Sequence, residues 1–159
     1  MTDNPMYERI LIPTDGSEVA ENAVDHAMAL AKQFGAEVHA LFVADTDAVH
    51  YALGTEQVDR IRQGRFPEMT ELREDAEAAT GYVRDRAEAE GLEFVERHAG
   101  GRPHNVIADY ARENDIDLVV MGSHGRAGVR RALLGSVTER TLRSTHVPVL
   151  VVDYRAEED

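Results

Sequence analysis

Residues 116–138 read IDLVVMGSHGRAGVRRALLGSVT, and the order of residue types in this stretch decides the fold. From Ile116 to Gly122 the chain is almost continuously apolar, as expected of a strand buried on both faces. Gly122 and Gly125 follow, three apart; nine residues later Gly135-Ser136 opens a helical segment over 136–144. Strand, glycine-punctuated loop and helix in that order belong to an α/β chain.

The same alternation runs outward from this stretch. Residues 7–13 are a short apolar strand ending at Pro13-Thr14-Asp15-Gly16. From Ser17, a good N-cap, the period changes: Ala20, Ala23, Val24, Ala27, Leu30, Ala31 and Phe34 recur at helical spacing, and Gly35 is the stop signal. Residues 36–43 and 92–98 read as strands, and 147–153 as the last one. Met69, Leu72, Ala76, Ala79 and Val83 mark one face of a long helix with an acidic opposite face, closed by Gly91. Gly100-Gly101-Arg102-Pro103 turns the chain into a helix carrying Val106, Ile107, Tyr110 and Ala111. Segment 44–66 is ambiguous; we expect it to be variable and mobile, with a short helix near 55–62.

Five strands alternating with four main helices predict a three-layer, open doubly wound α/β sheet, mainly parallel, in the order 3-2-1-4-5. Residues 1–159 are expected to form a single domain, since 159 residues match one ordinary core. Ligands of such sheets sit beyond the carboxyl ends of the strands where the order reverses. Here that means residues 13–17 and 121–138.

Composition narrows the function classes. There is no cysteine, which excludes disulfides, thiolate metal sites and a cysteine nucleophile. Nowhere do eighteen apolar residues run together, and the first residues lack a basic segment followed by an apolar run, so a cytoplasmic protein is expected, with no membrane partner. Thirty acidic against seventeen basic residues give a charge of −13, which disfavours nucleic acid as a partner. Sixteen of the basic residues are arginine and one is Lys32. This acid-rich, lysine-poor balance resembles proteins of halophilic organisms; a GC-rich genome writing arginine for lysine gives the same bias.

Against that total, residues 122–146 are cationic: Arg126, Arg130, Arg131, Arg140 and Arg143 face only Glu139, a net +4. Two unit charges 10 Å apart in water interact by about 0.4 kcal/mol, so distant carboxylates lose to local contacts at an anion. Ser136 and Thr138 offer hydroxyls, and the first-turn amides of Ser136, Val137 and Thr138 add the helix dipole. A lone G-x-x-G is usually only a turn, and pairing with acidic neighbours is the alternative reading of Arg130 and Arg131. The strand, both glycine pairs and the helix start together are far more specific.

The spacing Gly122-x-x-Gly125-(nine)-Gly135-Ser136 resembles the nucleotide-binding signature of the ATP-binding branch of the universal stress protein (UspA-like) family. The likeness spans nearly the whole chain, from ILIPTDGSEVAENAV at the start to DLVVMGSHGRAGVRRALLGSVTERTLRSTHVPVLVV at the end. It implies a flavodoxin-like fold (adenine nucleotide alpha hydrolase-like), ATP in the cleft and a homodimer built through the last strand. Carried over by position, Pro13, Thr14 and Asp15 line the adenosine end, with Asp15 accepting from ribose hydroxyls. Val43 offers backbone groups to adenine. Met121, Gly122, Ser123, Gly125 and Arg126 border ribose and phosphates, and Gly135, Ser136, Val137 and Thr138 hold the phosphate tail. Mg2+ is then held mainly by phosphates and water.

Other classes fit less well. Walker A needs Lys-Ser/Thr after its glycines, and Lys32 is followed by Gln33. No G-x-S-x-G is present, and no nucleophile or base can be named, so no catalytic residue is assigned and slow ATP hydrolysis is the most that is expected. His124 reads as a loop spacer, and the histidines show no H-x-x-x-H pair, so no metal site is expected. A nucleotide-independent interaction module is the second alternative. A nucleotide-dependent sensor or regulator of the stress response, with an unknown regulatory protein partner, fits best. Val147, Val149, Leu150, Val151 and Val152 make an apolar strand at a sheet edge, which invites pairing with a second copy.

Overall fold

The computed structural model describes residues 5–46, 55–63, 70–124 and 134–153. In chain order these hold β1 (Arg9–Pro13), α1 (Glu18–Phe34), β2 (Glu37–Asp45), α2 (Thr55–Arg62), α3 (Thr70–Ala89), β3 (Phe94–Gly101), α4 (Pro103–Glu113), β4 (Leu118–Gly122), α5 (Ser136–Ser144) and β5 (Val149–Val152). The sheet runs β3-β2-β1-β4-β5, and every pairing is parallel, as the alternation predicts.

Strand alternation sends successive side chains to opposite faces. Ile10, Ile12, Val38, Ala40, Leu118 and Val120 form one buried cluster with Ala23, Val24, Ala27, Met28 and Ala31 of α1 and with Val83 and Ala87 of α3. On the other face, Leu11, Leu41, Val119 and Met121 pack with Ile107, Tyr110 and Ala111 of α4, and Val137 of α5 lies against them. β1 and β4 are thus covered on both sides, which is why they read as unbroken apolar runs. Their register, Ile10 beside Leu118 and Leu11 beside Val119, brings both carboxyl ends to one edge of the sheet.

α1 shows how local sequence sets an element. Ser17 Oγ accepts from the Ala20 N–H at 3.2 Å, Glu18 and Glu21 lie in the first turn, and Gly35 ends the helix at φ +65°. A serine cap of this kind contributes about 1 kcal/mol. Before β1, the amides of Glu8 and Arg9 both donate to Asp117 Oδ2, at 2.8 and 3.0 Å, tying the chain start to the foot of β4.

Two elements, β3 and β5, differ from the sequence reading. β3 runs through Gly100 and Gly101, which read as a turn, and pairs with β2 as far as Asp45–Gly101. A Cβ at Gly100 would sit 2.1 Å from the Ile61 carbonyl oxygen, so this glycine admits the backbone of α2. α2 itself confirms the short helix near 55–62, and it is docked: Ile61 is fully buried with Phe42, Ala44, Ala76 and Ala79. Most of the rest of segment 44–66 (residues 47–54 and 64–66) lies outside the described residues. β5 begins at Val149, two residues later than its apolar run, because Pro148 has no N–H to donate; its carbonyl still accepts from Val119 at 2.9 Å.

Polar groups are also built into the core. His39 on β2 is buried, with Nδ1 2.6 Å from the Tyr110 hydroxyl and Nε2 against the Glu37 carboxylate. Burial pushes the Tyr110 hydroxyl above its ordinary pKa of 10.0, and the Arg97 guanidinium over its ring partly offsets this.

Candidate functional site

The carboxyl ends of β1 and β4 are adjacent at the point where strand order reverses. On the β1 side, Pro13 ends the strand, and Thr14 adds one more rung by donating its N–H to the Leu41 carbonyl at 2.9 Å. The turn that follows braces itself. Thr14 Oγ1 accepts from Gly16 N–H at 3.2 Å, and Asp15 Oδ1 accepts from Ser17 N–H at 3.0 Å. Gly16 takes φ +80°, a conformation costly for a side-chain-bearing residue. The Asp15 carboxylate is thereby fixed at the sheet edge, at the head of α1.

Val43 lies two residues beyond Leu41 on β2. Peptide groups of a strand face alternate sides, so those of Val43 face the same way as Leu41, toward β1. The last β1–β2 pair is Pro13–Leu41, so Val43 faces the space past the end of β1. Its side chain packs on the α4 side of the core.

At the β4 end, the residues singled out by spacing are tightly committed to the scaffold. Met121 is core. A Cβ on Gly122 would lie 2.6 Å from Val19 Cγ1, so this glycine seats α1 against the strand. Ser123 is buried; its N–H donates to the Val152 carbonyl at 2.9 Å and its hydroxyl to Asp153 Oδ1 at 2.8 Å. Gly135 N–H donates to the Ser123 carbonyl at 2.7 Å, and the buried Thr138 hydroxyl donates to the Gly122 carbonyl at 2.9 Å. A Cβ on Gly135 would meet His124 Cα at 3.0 Å, so this position too needs a small residue. Gly125 and Arg126 lie outside the described residues.

These contacts aim α5. Gly135 is its N-cap and provides no side-chain bond, and the first helical bond runs from Glu139 N–H to the Gly135 carbonyl. The amides of Ser136, Val137 and Thr138 therefore have no acceptor within the helix, the usual basis of an anion site. Ser136 is exposed, so its hydroxyl stands at this terminus. The Thr138 hydroxyl faces inward, leaving the backbone N–H as that residue's contribution.

Two participants were not singled out by spacing. Asp153 fixes Ser123, and its only sequence signal is an acid closing the apolar run of β5. His124 is no bare spacer, since its Nδ1 lies 3.2 Å from Ser123 Oγ. Serine, histidine and aspartate are thus neighbours, but the serine gives its proton to the aspartate. A hydrolytic triad needs the imidazole between the other two, so this arrangement does not make the serine a nucleophile.

Among the described residues, no helix is long and apolar enough to cross a membrane. The model of the universal stress protein family matches residues 6–153. The universal stress protein MJ0531 of Methanocaldococcus jannaschii is 38% identical over 148 residues, covering 92% of this chain and 82% of its own. The solved structure of MJ0577 from the same organism superposes with a TM-score of 0.74 at 30% identity, covering 96% of this chain and 99% of that one. A universal stress protein solved in complex with cAMP gives 0.61 at 28% identity, with 94% and 98% covered. By sequence and by fold, this chain belongs to the universal stress protein family.

Proposed function

We propose that the chain is one ATP-binding domain that acts as a nucleotide-dependent regulator in the stress response. The observation that carries this reading is the pair of bonds clamping α5 to β4, Gly135 to Ser123 and Thr138 to Gly122. They hold three first-turn amides at the end of β4, the strand next to β1, whose own end leads to Asp15.

In this reading Asp15 accepts from the ribose hydroxyls, the Val43 peptide meets adenine, and Pro13 and Thr14 wall the adenosine end. Met121, Gly122 and Ser123 form the floor, with Gly125 and Arg126 following along the phosphates. Ser136, Val137 and Thr138 hold the tail through backbone N–H groups and the Ser136 hydroxyl, and Gly135, whose own N–H is bound to Ser123, lets the phosphates approach the backbone closely. Mg2+ is carried in on the phosphates and their water. The relative solved with cAMP supports an adenine nucleotide as the class of ligand.

The regulator acts as a homodimer through β5, whose Val149, Leu150 and Val151 are only partly covered by their own chain. Ser123 bonds to both Val152 and Asp153, so the nucleotide loop and the dimer edge share a residue. The acidic, lysine-poor surface fits a halophilic, cytoplasmic setting. Calorimetric titration of stripped protein with Mg-ATP, in moderate and in molar salt, tests this. Saturable binding near one nucleotide per chain, weaker for AMP, is expected; an intact fold without binding in either salt leaves an interaction module instead.

A further inference from the structure

α4 and α5 lie side by side, and between them opens a cavity of about 540 Å3 lined by Arg102, His104, Arg140, Arg143 and Ser144. Among the described residues, three arginines and no carboxylate line it, on a chain whose acids outnumber its bases thirty to seventeen. Beside it, Arg143 pairs with Glu139 at 2.9 Å. Both side chains are more than half exposed, so the pair is worth little and exchanges readily.

The local sequence builds this groove. Arg102 is the N-cap of α4 and is held there by Pro103 at the first helical position. The Arg102 carbonyl accepts from both Asn105 and Val106 N–H groups, each at 3.0 Å. Pro103 has no N–H at all, so α4 contributes few free amides and the positive charge is that of side chains. On α5, Ser136, Arg140 and Arg143 fall at spacings of four and three, on one face. Arg140 stands about 6 Å along the axis from Ser136. Ser144 donates its hydroxyl to the Arg140 carbonyl at 2.7 Å, closing the far end.

Guanidinium forks stay charged and match phosphate oxygens two at a time. The volume lies within the usual range for small-molecule sites, about 300–1,000 Å3. We propose that the α4–α5 groove binds a chain of two or three phosphoryl groups through Arg102, Arg140 and Arg143. The phosphates come from free inorganic polyphosphate or from the tail of a nucleotide seated in the β1–β4 cleft. The second source rests on the reading under Proposed function; the first does not.

The test is calorimetric titration of the full chain with tripolyphosphate at fixed ionic strength, for wild type and Arg102→Gln/Arg140→Gln. Arg102 and Arg140 are exposed, so the double variant keeps its fold, which an unchanged melting curve verifies. Saturable wild-type binding, weakened at least ten-fold in the variant, is the expected result. Tripolyphosphate binding that persists under saturating ATP identifies the free anion as ligand. Competition by ATP, with the variant losing ATP affinity but keeping AMP affinity, identifies the nucleotide tail. Equal binding by both proteins, or by neither, overturns the proposal. Loss of ATP binding with tripolyphosphate binding intact would reject the nucleotide reading alone and leave the groove standing.

Discussion

The Thr138 hydroxyl donates to the carbonyl of Gly122 at 2.9 Å, with both residues buried, so the first turn of α5 is pinned to the last residue of β4. The bond also explains a threonine at a position where the backbone amide, rather than the side chain, faces the cleft. Thr138→Val removes the donor and leaves a buried carbonyl without it, at a cost of about 1–3 kcal/mol. Urea unfolding should show this loss, and Thr138→Ser should recover most of it.

Gly122 is a packing residue. Gly122→Ala drives a methyl group to within 2.6 Å of Val19 Cγ1, and overpacking of this kind costs about 1–3 kcal/mol. Adding Val19→Ala opens the space, so the double variant should be more stable than the sum of the single changes predicts. Strict additivity in a double-mutant cycle would show that the two residues do not meet.

Much of this was legible in the sequence, for physical reasons that differ by element. β1 and β4 are covered on both faces, so their strands read as apolar runs, and α1 has a serine cap, an alanine-rich stripe and a glycine stop. The sheet order followed from alternation together with right-handed crossovers around a single core. Gly100 was misread as a turn because glycine signals both a turn and a close approach, and only the position of Ile61 tells them apart. The same ambiguity covers Gly122, whose partner Val19 is a hundred residues away in sequence. Asp153 gave no signal because its role is a side-chain bond to Ser123, thirty residues away, which no local pattern encodes.

The buried Tyr110 gives the fold a dependence on alkaline pH. Its folded pKa is raised above 10.0, mainly by burial, so the native state holds the proton more tightly than the unfolded chain. The sign follows: this group leaves stability untouched below about pH 10 and erodes it as pH climbs through the folded pKa. Tyr82, also raised by burial, adds in the same direction. Thermal melts between pH 9 and 11 should show falling stability, with a shallower fall in Tyr110→Phe. An equal slope in that variant would assign the effect elsewhere.

β5 offers the dimer test. Val149, Leu150 and Val151 are half-buried at the edge of the sheet, next to β4 alone. Sedimentation at working salt should give a dimer, and Val151→Asp should give monomer or aggregate. A clean wild-type monomer contradicts the proposed assembly.

The most direct test of the central claim is calorimetric titration of Mg-ATP into wild type and Ser136→Glu side by side. Ser136 is exposed at the first position of α5, where a carboxylate suits the helix dipole, so the variant should fold at least as well. It also places a negative charge where the phosphates are proposed to sit. We expect saturable binding near one nucleotide per chain in wild type and at least a ten-fold loss in the variant. Equal ATP affinity in the two folded proteins would contradict the account, because the α5 amides would then not be the phosphate site.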